Sequence, residues 1–145
     1  VSTTSAQTFQ AGDLVLADVV VVTPSPRDQV VVEAPLPAGF EAVDARLATT
    51  ASYLDVPPTS ADWSEDTYND VAMGRAYLPS WVRQEVRDDR VLFFVEHMSA
   101  GMFRYRYLAR ATTPGSFVVP PLRAFEMYAP EAFGRSGATT IEVRE

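Results

Sequence analysis

Few side chains in this 145-residue chain have the chemistry for a reaction, and their types and spacing close off most reaction classes. There is one histidine, His97, and no cysteine, which excludes disulfides, thiolate nucleophiles, thiolate metal sites and multi-histidine centres. His97 closes an apolar run with no partner motif beside it, so it is read as structural. The densest carboxylate group is Asp62, Glu65, Asp66 and Asp70. Hard cations favour such oxygens, but the spacing lacks the Asp-x-Asp-x-Asp-Gly order of a calcium loop, and a solvated helix face is the preferred reading. Arg87-Asp88-Asp89-Arg90 offers a carboxylate pair for acid–base work. Neither a Gly-x-Ser-x-Gly elbow nor a phosphate-binding glycine loop accompanies it, and aspartates that accept turn N–H bonds beside paired arginines describe a structural corner better. No catalytic residue, metal or cofactor is expected, and the chain is not read as an enzyme.

Two further groups suit contacts better than catalysis. Arg104, Arg106 and Arg110 alternate along one face, where guanidinium forks either hold a partner's carboxylates or neutralise acidic neighbours in the same domain; the second reading is preferred. Glu126-Met127-Tyr128-Ala129-Pro130-Glu131 follows a double proline and carries two large side chains out of a strand. Such side chains need a core or a partner: either one of the two points outward, or both tuck under the loop at 130–137.

Nineteen acidic against twelve basic residues give a net charge of −7, the wrong sign for tracking a phosphate backbone, so nucleic acid is excluded as a partner. All twelve basic residues are arginine. The longest apolar run is far shorter than the roughly 20 residues of a membrane helix, and the chain is expected to be soluble. Its start at Val1, with no methionine, signal peptide or lipid-attachment cysteine, is the expectation for a domain cut from a larger precursor.

The elements that position these groups have period two. Pro and Gly punctuate the chain at short intervals, the pattern of an antiparallel β-sandwich with one wet face per sheet. Residues 14–23 place Val15, Ala17, Val19 and Val21 inward and Asp18 outward, and 28–34 returns as a second strand to make a hairpin. In 90–98, Glu96 marks the outer face, with Val91, Phe93, Val95 and His97 on the inner one. Residues 102–112 put Phe103, Tyr105, Tyr107 and Ala109 inside and the arginines outside. Residues 98–101 read as the hairpin loop between these strands, and Thr113-Pro114-Gly115 as a type II turn. A short edge strand at 117–120 ends in prolines that cannot donate ladder bonds. Strands at 122–128 and 138–144 complete an all-β sandwich of seven or eight strands. Residues 1–10 read as a linker and 11–145 as one domain, with a short helix or ordered loop near 60–75.

Several segments together resemble a known family. From Gly12, the stretch GDLVLADVVVVTPSPRDQVVVEAPLPAGFE, then RDDR, YLARA, TPG-x-F-x-x-PP and EMY-x-PE, occur in the order found in the C-terminal macroglobulin-like (receptor-binding-like, MG10) domain of bacterial α2-macroglobulins. The likeness covers roughly two thirds of the chain and fails over 49–79. It implies a macroglobulin sandwich inside a larger protease trap. In such traps a protease cuts a bait region, the molecule rearranges, and an internal thioester in another domain acylates the attacker. The terminal sandwich packs on that thioester domain. By resemblance, Met127 and Tyr128 shield the thioester, and Glu126 and Pro130 support them. Also implied are trapped proteases as partners of the parent, a link to a penicillin-binding protein, and a periplasmic or cell-surface location, with the parent in some relatives a lipoprotein. The isolated domain is expected to be monomeric. The competing reading is a free-standing adhesion or carbohydrate-binding module, with Trp63, Trp81 and the tyrosines as stacking platforms.

Overall fold

A computed structural model describes residues 7–44 and 82–145. The expected helix or ordered loop near 60–75, the acidic group at 62–70, Trp63 and Trp81 lie outside the described residues. Among the described residues every regular element is a strand, and the expected antiparallel β-sandwich holds.

Alternation builds the first sheet. Strands β2 (Leu14–Thr23) and β7 (Gly101–Ala111) run antiparallel from Leu14 opposite Arg110 to Thr23 opposite Gly101, and β4 (Phe40–Val43) takes the other side of β7. Val15, Ala17, Val19 and Val21 face the core with Phe103, Tyr105, Tyr107 and Ala109. On the outer face Asp18 and Arg106 pair directly across the two strands, and Arg110 donates to the Gly12 carbonyl at 3.3 Å. These two arginines therefore serve their own domain.

Opposite lies a five-stranded sheet in the order β10 (Ala129–Arg135), β9 (Arg123–Glu126), β3 (Arg27–Pro35), β6 (Arg90–Met98), β5 (Val82–Val86). Val30, Val32 and Ala34 of β3 meet Val91, Phe93 and Val95 of β6 on the core side. A third sheet holds β1 (Gln7–Gln10), β11 (Thr139–Arg144) and β8 (Gly115–Val119), with β1 parallel to β11. Ile141 and Val143 carry it into the same core. The sheet order leaves β8 on an edge, where its following prolines are harmless.

Several expectations are corrected. Within the expected linker at 1–10, Gln7–Gln10 forms β1: its polar side chains face out while its backbone pairs with β11, and Phe9 meets the Phe40 ring edge-on at 5.7 Å. Strands β2 and β3 make no hairpin, nor do β6 and β7; each pair divides between two sheets. Alternation identifies a strand's faces but not its partner, and Pro24-Ser25-Pro26 lacks the left-handed residues a two-residue hairpin needs, so the chain crosses the core instead. Thr113-Pro114-Gly115 is no type II turn. Gly115 has φ 150°, not the roughly +80° of that turn, and it leads the chain directly into β8.

His97 is exposed, and Met98 takes the inward position at 1% exposure. The alternation breaks between Val95 and Met98, opposite Gln29, which lies between the paired rows Asp28–His97 and Val30–Val95 and has a left-handed backbone, φ 51°. His97 Nδ1 and Asp28 then lie 2.7 Å apart on the wet face.

Candidate functional site

The segment 126–131 forms the tip of a β-hairpin. Glu126 pairs with Ala129, which leaves Met127 and Tyr128 as a two-residue turn between β9 and β10. Neither residue has a positive φ, so the turn is not one of the primed types that match the twist of a regular hairpin. A register irregularity between Ala129 and Phe133 absorbs the mismatch. Both tip side chains project: Tyr128 is 84% exposed and Met127 45%. The alternative in which both tuck under 130–137 is overturned, since 129–135 is strand β10.

The base of the tip is held from three sides. Glu126 lies 3.8 Å from Arg27 of β3, an ion pair whose carboxylate is largely shielded. The Met127 N–H donates to the Gln29 carbonyl at 2.9 Å. On the outer face the Arg123 guanidinium stacks over Phe125 at 4.5 Å and reaches the Phe133 ring at 5.8 Å, a cation–π brace between β9 and β10. Pro130 is not in a turn as expected. It is the second residue of β10, the outermost strand of its sheet, where a missing N–H costs no ladder bond on the open side. Tyr128, Met127 and, further along β10, Phe133 are among the exposed large apolar side chains of the domain.

The charged corner is elsewhere. Asp88 and Asp89 cap the β5–β6 hairpin, where the Arg87 N–H donates to the Arg90 carbonyl at 2.9 Å and the Leu36 N–H to the Asp89 carbonyl at 2.8 Å. Arg90 bridges Asp89 and Glu33, and Arg87 pairs with Glu85 at 2.7 Å. The Arg90 guanidinium holds the Asp89 carboxyl below its ordinary pKa, and both carboxylates hold the arginine proton more tightly. Arg90 faces Pro35 at the far end of β3, whereas the tip adjoins Gln29. Six residues of strand, roughly 20 Å, separate the two groups. They do not form one site, and no group of three or more His, Asp and Glu side chains that could hold a metal occurs among the described residues.

Arg27, Gln29 and Phe133 were not among the residues singled out from the sequence. Phe133 was legible in principle once β10 is seen as a strand. Gln29 was not, because glutamine is no marker of a left-handed backbone.

Residues 1–131 match the family model of the Bacterial Alpha-2-macroglobulin MG10 domain. The chain belongs to this family. An α2-macroglobulin homolog from Nostoc sp. is 32% identical over 125 residues, 86% of this chain and 6% of that protein. The crystal structure of native Escherichia coli α2-macroglobulin from domain MG7 to the C-terminus superposes with a TM-score of 0.72 at 26% identity, over 99% of this chain and 21% of that one. Escherichia coli α2-macroglobulin activated by porcine elastase gives 0.70 at 25% identity, over 99% of this chain and 12% of that one. The MG10 chain thus spans a small fraction of the relatives it matches. It is a macroglobulin domain of a bacterial α2-macroglobulin-like protein.

Proposed function

We propose that this MG10 domain packs on the thioester domain of its parent chain and that Met127 and Tyr128 cover the thioester until a protease cuts the bait region. The observation that carries the reading is the projecting tip: a tyrosine 84% exposed on a two-residue turn that is braced from below. A thioester survives in water only inside a dry pocket with bulky apolar walls. Methionine fills irregular gaps beside sulfur, and tyrosine supplies a rigid plate with one polar end for the rim.

In this role the domain has no catalysis of its own; inhibition belongs to the parent, in the periplasm or at the cell surface. Elastase activation of the Escherichia coli relative supports a trap sprung by proteolysis. The contact must be releasable, and a tip of two side chains flanked by charged residues suits a modest interdomain interface better than a large apolar one.

Incorporation of labelled methylamine into the intact parent, before any protease is added, tests this. The wild type is expected to label slowly and Tyr128→Ala fast. Equal labelling of the two removes Tyr128 from the shield, and no labelling even after bait cleavage means the parent has no working thioester to protect.

A further inference from the structure

We propose that Gln29 is the positioning residue of the Met127–Tyr128 tip, an inference that rests on the shielding role above. Among the described residues Gln29 is the one non-glycine with positive φ, 51°. A left-handed residue inside a strand is disfavoured by contact between its Cβ and the following carbonyl, so the fold must hold it there. Its side chain does not do so, because that side chain is exposed.

What the conformation achieves lies on both neighbours of β3. Toward β6 it lies where the inward alternation ends: Asp28 and His97 pair outside the core and Met98 enters it. Toward β9 the Val30–Glu126 pair is the last of the regular ladder, and the next contact is the Met127 N–H on the Gln29 carbonyl. The Gln29 carbonyl, one rung beyond that ladder, is thus the β3 acceptor that reaches the first residue of the tip. Arg27, two residues back on β3, closes on Glu126, the residue before the tip. A tip whose own turn lacks the twist of a primed hairpin has no strong direction of its own, and these two contacts supply one. The position therefore demands a backbone conformation rather than a glutamine side chain.

Amide exchange at Met127, read by NMR on the 145-residue chain, tests the positioning directly. Gln29→Gly adopts the left-handed region freely and is expected to keep Met127 protection within roughly twofold of wild type. Gln29→Val, penalised by its branched Cβ, is expected to speed Met127 exchange roughly tenfold while Val32 and Phe93 stay protected. Equal protection in the two variants overturns the proposal. Should the valine variant not fold, Gln29→Ala carries the same Cβ without the branch and gives the same comparison. In the intact parent, Gln29→Val is expected to take up methylamine faster than wild type and no faster than Tyr128→Ala. Fast uptake by Tyr128→Ala with wild-type uptake by Gln29→Val defeats the positioning role alone. Loss of Met127 protection with no effect of Tyr128→Ala keeps the positioning and defeats the shield.

Discussion

Phe117 lies against two glycines, Gly39 and Gly115. A Cβ on Gly39 would stand 2.3 Å from the Phe117 ring, and one on Gly115 3.0 Å. Gly39→Ala is therefore expected to destabilise the domain by roughly 2–3 kcal/mol through overpacking, measured by urea unfolding. Adding Phe117→Leu should recover part of the loss; if Gly39→Ala unfolds like the wild type, the ring has room the structure denies. Tyr107 yields a second prediction at this scale. Burial pushes its hydroxyl up to about 12, above the ordinary tyrosine value, so the unfolded chain releases its proton first. The stability this provides is whole below about pH 10 and is lost as pH rises through about 12, on the order of 2 kcal/mol. Because the chain has arginine and no lysine, its five other tyrosines are the main competing groups in that window, and Tyr107→Phe should visibly flatten the decline in the urea midpoint. An unchanged decline would move its origin to another tyrosine.

Among the elements, β1 and the β9–β10 hairpin carry the main tests. β1 looks like a linker by composition, yet Phe9 packs against the core and on Phe40. Phe9→Ala is expected to cost roughly 1–3 kcal/mol in chemical denaturation, against almost nothing for a frayed tail. The hairpin should behave in the opposite way. Tyr128→Ala at an 84% exposed position is expected to change stability by no more than about 0.5 kcal/mol, so that any effect in the parent is one of contact and not of folding. Strand existence was legible from alternating valines and aromatics in β2, β3, β6 and β7. β1, β4, β5 and β10 were missed: β4 and β5 are short, and the parallel edge pairing of β1 and the proline-bearing outer strand β10 draw on backbone bonds and sheet position, which leave little trace in side-chain pattern.

At the scale of the molecule, the long strand β2 closes one side of its sheet among the described residues, with Leu14, Leu16, Val20 and Val22 outward. Such an edge invites pairing with a second copy, and the Asp18–Arg106 pair interrupts it with charge. The free domain, at net charge −7, is expected to sediment as a monomer, whereas Asp18→Val should associate in a concentration-dependent way. A monomeric Asp18→Val variant at all concentrations would show that the edge is guarded by something other than this charge.

Read by itself, the sequence determined the class of the fold, the inward faces of its main strands, the absence of thiol and multi-histidine chemistry, and the family whose motifs it carries. Those properties follow from residue type and period two, which act locally along the chain. Only the tertiary structure decided which strands share a sheet, that His97 yields its place to Met98, and that Met127 and Tyr128 form a projecting turn braced by Arg27 and Gln29. The reason is that partner choice and backbone handedness depend on contacts between segments far apart in the chain, and at Gln29 the surrounding strands impose a conformation that glutamine alone does not favour.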